Sequence, residues 1–381
     1  MEDKGFGLYI HIPFCKKKCN YCDFISYINM EYFIPQYIET LKKEMDFYKD
    51  YCSKRKIRTI YIGGGTPTIL QPEQLEHIIE SALKTFRVYN ELEISIEANP
   101  DSITKEKLHK LKNAGVNRLS IGLQAYQTHL LKNMGRIHSP GQFERAFLAA
   151  REEGFDNINV DLIFGLPGQT GEQWEETLKK VTALRPEHVS AYSLKIEEGT
   201  LLYDQYKSGI IKLPEEEKER GMYYFLIDFL TSRGYNHYEI SNFAFPGKEC
   251  RHNILYWKNK EYIGIGAASH SHFCKKRYHN EEDLEKYIEV FSLKNRPPIK
   301  DKESISKGLE ISETIIMNLR LTAGLDKIEF FNRFGVDIKD LYRKEIELLE
   351  NSRLIEETQT HIKLTKLGLD FANEVFVNFI P

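Results

Sequence analysis

The chain has 381 residues, which at about 100–200 residues per domain predicts two domains or three. Lys plus Arg number 53 against 56 for Asp plus Glu, a formal net charge of −3, so no general attraction draws the chain to nucleic acid or to an anionic membrane. Hydrophobic residues at 41% and charged residues at 29% exclude wholesale disorder and leave ample material for a core.

In chain order, the first half alternates strands and helices. Strands are predicted at Gly7–Ile12, Thr59–Ile62, Glu93–Glu97, Arg118–Gly122, Asn157–Ile163 and His188–Leu194. Between them, Gln71–Thr85 places Leu75, Ile78, Ile79 and Leu83 at helical spacing behind Pro72, a first-turn proline. Thr104–Ala114, closed by Gly115, Pro140–Glu153, closed by Gly154, and Gly171–Leu184 repeat the scheme. The βα rhythm implies α/β architecture with parallel strands and helical crossovers. Periodicity leaves an open sheet and a partly closed barrel equally available.

After Gly199 the rhythm fades. A helix is predicted over Glu215–Arg233, then an irregular aromatic stretch, Asn236–Tyr278, long enough to suggest a functional loop. Pro297–Pro298 marks a boundary. Beyond it, helices at Glu313–Leu319, Leu325–Phe334 and Ile338–Asn351, short strands at Leu354–Glu356 and His361–Leu364, and a helix from Lys366 follow the order of a small winged helix. That segment has no dense Lys/Arg stripe, so nucleic acid is not an expected partner. The units are 1–214, a βα core; 215–298, a connecting helix, aromatic loop and closing strand; and 299–381, the winged-helix-like end.

No run of about 18 apolar residues occurs, so no membrane anchor is expected. The opening Met-Glu-Asp-Lys lacks the basic and apolar regions of a signal peptide, and the expected location is cytoplasmic. Six cysteines are too sparse for a disulfide framework. Three of them, Cys15, Cys19 and Cys22, lie in a C-x3-C-x2-C loop after the first strand. Structural zinc wants four ligands, usually in paired C-x2-C units, and no second pair exists. Three thiolates can instead hold three irons of a [4Fe–4S] cluster and leave the fourth open. Unrelated thiols, or zinc completed by His11, are the alternatives. Lys16, Lys17 and Lys18 inside the loop are either a solvated tract or a docking point for an acidic electron donor such as a flavodoxin.

The loop resembles the signature of the radical S-adenosylmethionine (SAM) superfamily. Its flanks, Tyr9-Ile-His-Ile-Pro-Phe-Cys15 and Cys22-Asp-Phe24, are similar to the branch holding oxygen-independent coproporphyrinogen III oxidase and the HemW heme chaperones. The resemblance implies a partial (β/α)6 barrel with a [4Fe–4S] cluster on Cys15, Cys19 and Cys22. It also implies SAM at the strand ends, where barrel chemistry sits. Tyr9, Gly64 and Glu97 match positions of the cluster-bound SAM, and Tyr21 matches a SAM-contacting aromatic position. Gly65, Thr66, Gln124, Arg136 and Asp161 match a second SAM position, and Lys195 matches it loosely.

Two features divide the branches. The oxidase is typified by a fourth cysteine two residues after the third, where this chain has Phe24, and by a longer N-terminal segment than the 14 residues before Cys15. His252-Asn-Ile-Leu-Tyr256-Trp257 resembles the H-N-x-x-Y-W string typical of HemW, and makes His252, Tyr256 and Trp257 heme-binding candidates. His270, His272 and Cys250 are secondary candidates, with His270 also suited to lining the SAM site. The expected function is heme binding and transfer to an acceptor protein. The runner-up is a coproporphyrinogen III dehydrogenase that decarboxylates two propionates.

Overall fold

The computed structural model describes residues 5–380. Its core runs β1 (Phe6–Ile12), α1 (Ile34–Lys49), β2 (Ile57–Gly64), α2 (Pro72–Thr85), β3 (Val88–Ala98), α3 (Lys105–Asn113), β4 (Arg118–Gln124), α4 (Thr128–Asn133), α5 (Pro140–Glu152), β5 (Ile158–Phe164), α6 (Gly171–Ala183) and β6 (His188–Ser193). Then come α7 (Leu201–Lys207), α8 (Glu216–Thr231), β7 (Asn236–Glu239), β8 (Asn242–Ala244), α9 (Arg251–Trp257), β9 (Tyr262–Ile265), β10 (His270–Phe273), β11 (Lys276–Asn280), α10 (Leu284–Lys294) and β12 (Ile299–Ser304). The C-terminal unit holds α11 (Lys307–Asn318), β13 (Leu325–Asp326), α12 (Lys327–Phe334), α13 (Ile338–Asn351), β14 (Ile355–Glu357), β15 (His361–Leu364), α14 (Lys366–Asp370) and α15 (Ala372–Val377).

The six predicted strands all form, and β1 to β6 are parallel neighbours in chain order. Local chemistry starts their helices. Reciprocal capping boxes pair Gln71 with Gln74, Ser139 with Gln142 and Thr170 with Gln173. Two expectations need correction. Helix α1 was not singled out between the first two strands, although Tyr37, Leu41, Met45 and Tyr48 bury one face of it. The stretch Asn236–Tyr278 is not an irregular loop: it contains β7 to β10, α9 and part of β11. With β12 these strands extend the sheet to twelve, in the order β12-β11-β10-β9-β1-β2-β3-β4-β5-β6-β8-β7, with β9 parallel to β1. Pro297–Pro298 leads into β12, which pairs with β11 in that sheet.

Each parallel strand alternates its faces. On one, Ile10, Ile62, Ile96, Leu119, Val160 and Val189 are fully buried against the helices. Each such side chain contributes about 1.5–3 kcal/mol of burial. The opposite face is polar. In register across the strands it carries Tyr9, Tyr61, Ser95 and Arg118, then Glu97 beside Ser120, Asn159 beside His188, and Asp161 beside Ser190. The parallel run wraps this face around α9, which touches β1 at Gly7, β2 at Thr59 and β3 at Glu93.

The C-terminal unit has its own core around Ile315, Phe330, Ile346 and Phe379, and its small sheet has the order β13-β15-β14. Three helices and a β-hairpin appear as expected. The unit docks on β7 through Ile240 N–H to Arg320 O at 3.1 Å and Thr322 N–H to Tyr238 O at 3.1 Å. Fully buried Glu239 anchors the junction, accepting from Arg320 Nη2 at 2.8 Å and from the Ser241 N–H at 3.0 Å. No helix among the described residues is long and apolar enough to cross a membrane. Replacing Glu239 with Ala strands the Arg320 charge, and a loss of about 3–5 kcal/mol in urea unfolding is expected. A loss under 1 kcal/mol would show that the junction does not depend on this pair.

Candidate functional site

The loop leaving β1 folds back on itself. Cys15 N–H donates to Tyr27 O at 2.9 Å and Tyr27 N–H to Pro13 O at 2.7 Å. Cys15 is buried, whereas Cys19 and Cys22 are half-buried, and none is in a disulfide. Cys15 Sγ lies 3.5 Å from Thr66 Oγ1, and Arg136 Nη1 donates to Cys19 Sγ at 3.5 Å. Burial raises the Cys15 thiol and pushes Cys22 up to about 11, and the neighbouring sulfur of Cys19 adds to both rises. A positively charged group among them would reverse that balance. Among the described residues no three ligating side chains close on a single-ion point. Three thiols that do not close on a single-ion point match the separate iron positions of a polynuclear cluster rather than a zinc site. His11 is not a spare fourth ligand. Its Nδ1 lies 2.9 Å from Tyr9 OH and its Nε2 3.0 Å from Ile25 O.

The Gly63-Gly64-Gly65-Thr66 segment lies along the base of this loop. Gly65 N–H reaches Ile12 O at 2.9 Å and Thr66 N–H reaches Phe14 O at 2.8 Å. Gly64 has φ +112°, and a Cβ there would stand 2.5 Å from the His11 ring. A Cβ on Gly65 would stand 2.7 Å from Phe14 O and 3.0 Å from Cys15 Sγ. The glycines therefore permit close approach to the cysteine loop itself. Asn99 ties the next two strands in: its Nδ2 donates to Thr66 Oγ1 at 2.9 Å, and its Oδ1 accepts from Arg136 Nη2 at 2.8 Å.

The other candidates line the mouth and upper wall of the polar face. Glu97 accepts from Tyr61 OH at 2.9 Å and Gly64 N–H at 3.1 Å. Burial, with the charge of Asp161 next, pushes its carboxyl up to about 7. Asp161 accepts from Ser120 Oγ at 2.7 Å and Asn159 Nδ2 at 2.8 Å, and burial raises it too. Two neighbouring carboxyls raised on one polar face suit a cationic or hydroxyl-bearing ligand, such as the ammonium, sulfonium or ribose of SAM. Gln124 ends β4 at φ +71°, a left-handed conformation that a non-glycine residue holds only under constraint. Tyr21 is packed beside Arg136, Cys19 and Cys22, and burial raises its phenol. Lys195 is exposed and joins none of these contacts.

The His252 motif lies at the opposite end. It forms α9 and closes the floor. The His252 ring is fully buried, with Nδ1 2.7 Å from Thr59 Oγ1 and Nε2 2.7 Å from Tyr256 OH, and it stacks on Tyr61 at 5.2 Å. Burial, then the Arg118 charge, lowers it to about 3. In this arrangement it has no nitrogen to offer a heme iron. Trp257 Nε1 is buried with no partner among the described residues, and Arg320 covers its ring at 4.4 Å. Cys250 is buried beneath the same floor, and His272 is buried at the ring edge of Tyr262. The sequence reading had missed Asn99, Tyr61, Glu93 and Arg118. Their shared signal was a period-two polar alternation running through six strands.

Glu97 binds its proton more tightly folded than unfolded. Its stabilisation is therefore fully present below about pH 4.5 and is lost as pH rises through about 7. The cofactor-free protein should lose about 2–3 kcal/mol from this group between pH 5 and 8, and Glu97→Gln should flatten that part of the pH–stability curve. Identical curves for the two proteins would show that Glu97 ionises normally.

Comparison with known proteins follows this geometry. The radical SAM superfamily model matches residues 9–181, and the HemN C-terminal domain model matches residues 306–371. The chain is 38% identical to heme chaperone HemW of Bacillus subtilis, over 98% of both chains. It is 36% identical to HemW of Lactococcus lactis over 100% of this chain and 98% of that one, and 31% identical to HemW of Escherichia coli over 98% of both. Among solved structures it superposes on coproporphyrinogen III oxidase HemN from Escherichia coli with a TM-score of 0.86 at 24% identity, covering 99% of this chain and 90% of that one, a likeness of fold. With its three-cysteine loop at the mouth of a partial barrel and its full-length kinship to these chaperones, the chain belongs to the HemW family of the radical SAM superfamily.

Proposed function

We propose that the protein is a heme chaperone that carries a [4Fe–4S] cluster and SAM and passes heme to a heme-requiring acceptor protein. The observation that carries this reading is similarity to HemW proteins over essentially the whole chain, both units included. Phe24 supports it further. It is 65% exposed at the rim, where the oxidase branch has its fourth cysteine.

Cys15, Cys19 and Cys22 would hold the cluster, whose open iron would bind SAM and whose electron could cleave its sulfonium bond. Tyr9, Tyr21, Gly64 and Glu97 would orient that SAM. Arg136 is fixed by Asn99 and by Gly122 O at 2.8 Å, and would place a positive charge beside Cys19 and any anionic group at the mouth. Gly65, Thr66, Gln124 and Asp161 would complete a second SAM position with it. Lys17 makes no ion pair among the described residues, while Lys16 meets Asp101 at 3.3 Å and Lys18 reaches Phe24 O at 3.2 Å. The exposed tract would dock an acidic electron donor such as a flavodoxin. Free thiols at the cluster loop suit a reducing cytoplasm.

Anaerobic reconstitution tests the reading. Changing Cys15, Cys19 or Cys22 singly to Ala should each abolish the cluster's absorbance, while Cys52→Ala and Cys274→Ala should retain it. The reconstituted protein should bind heme stoichiometrically and release it to an acceptor. Turnover of coproporphyrinogen III to protoporphyrinogen with SAM and reductant would overturn the chaperone reading in favour of the dehydrogenase.

A further inference from the structure

The floor of the barrel withholds His252 from any ligand, so a heme held by this protein needs another base. Strand direction decides where it can be. β9 runs parallel to β1, so the turn after Ile265 stands at the same end of the sheet as the cysteine loop after Ile12. β10 starts from that turn with His270. Its cross-strand pairing partner is His279, and one step along, His272 pairs with Tyr262, the partner of Gly7 on β1. His270 therefore belongs to the face that carries Tyr9 and Tyr61, at the mouth rather than the floor.

Its surroundings are those of an open ligand. His270 is exposed, and its ring has no hydrogen-bond partner among the described residues. Its neighbour His279 stacks on it at 5.0 Å, but His279 is engaged through Nδ1 to Asn280 O at 3.0 Å and Nε2 to Asp301 at 2.9 Å. The charges facing it are Arg277 and Glu282, and His11 lies close enough to feel it. The rim continues into the cysteine loop. His11 Nε2 meets Ile25 O, next to exposed Phe24, and Tyr27 OH donates to Glu282 O at 2.5 Å. Phe24 supplies an apolar plate on that rim, which a porphyrin face needs beside its axial base.

We propose that His270 is the axial ligand of the transported heme, which sits at the barrel mouth beside the cysteine loop with Phe24 against the porphyrin. A ring nitrogen donates its lone pair to the iron, and no electron is transferred. The assignment rests on the chaperone reading and sharpens it, because it places the cargo at the same opening as the cluster.

Titration of the full-length protein with ferric protoporphyrin IX, followed by the Soret band and by electron paramagnetic resonance, tests it. His270→Ala should weaken binding roughly tenfold or more and remove the imidazole-ligated spectrum. His270→Cys should restore tight binding with a thiolate-type spectrum, an outcome a merely structural histidine would not give. Phe24→Ala should weaken binding without changing the ligand signature. Wild-type affinity and spectrum in His270→Ala would overturn the assignment and leave the chaperone reading standing. So would a folded His252→Ala protein that loses the imidazole signature while His270→Ala keeps it. Failure of the unmodified protein to bind heme would overturn both.

Discussion

Glu93 stands near the foot of β3, almost fully buried, and accepts backbone N–H groups from Arg251 at 3.0 Å and His252 at 3.1 Å. The Glu93 side chain at that point meets the positive end of α9, and buried Arg118 lies near enough to feel it. The two N–H bonds from α9 satisfy the carboxyl that β3 buries there. The contact also fixes α9 against three strands. From it a column of contacts climbs the wall. His252 stacks on Tyr61, Tyr61 OH donates to Glu97, and Glu97 holds the Gly64 N–H. Gly64 in turn packs against the His11 ring, whose Nε2 meets the loop carrying the cysteines. The mouth is thus referred to the floor through side chains that pack and bond in series.

This arrangement explains why polar residues are tolerated along the inner wall. Ser120, Asn159, Asp161 and His188 bond to one another or to Tyr238, so few of them face a desolvation cost alone. Arg118 Nε is an exception, buried without a partner among the described residues. A wall satisfied in this way is rigid before any cofactor arrives, and positions at its top need little reorganisation to receive one. It also assigns the two ends different work. The floor is closed by bonds that protein groups already fill, whereas the open valences lie at the rim, on Lys17, the cysteines and His270.

Much of this was legible in sequence, because the signals were local. The six parallel strands, the helices closed by Gly115 and Gly154 and the C-x3-C-x2-C loop each depend on residues within a few positions of one another. What escaped depended on pairing at a distance. The polar positions were read one strand at a time, with Asp161 as an acid in an apolar run, although Ser120 and Asn159 repeat its period on the next registered rows. The segment Asn236–Tyr278 looked like loop because its strands are only three to five residues long and gain their partners from β6 and β1. His252 looked like an available ligand because its partners, Thr59 and Tyr61, lie about 190 residues away in the chain. A histidine's chemistry is set by what occupies its two nitrogens, and sequence spacing does not carry that information.

The C-terminal unit completes the same logic from below. Arg333 donates to Lys258 O at 3.1 Å and Asn259 O at 2.9 Å, the carbonyls just past the end of α9. A guanidinium there satisfies groups that the helix leaves open and meets the negative end of its dipole. Lys258 and Lys260 both pair with Glu329 on α12, at 2.9 Å each. Arg320 lies over Trp257, the last residue of α9, while bonding Glu239 of β7. The short helix is therefore clamped at both ends, by Glu93 of the barrel and by Arg333 of the winged-helix-like unit. That accounts for a winged-helix order without a basic stripe. Among the described residues, Lys366 of this unit lies over Tyr224 of α8 at 4.3 Å, while Arg320 and Arg333 are spent inside the protein, holding the floor on which the wall and the mouth are built.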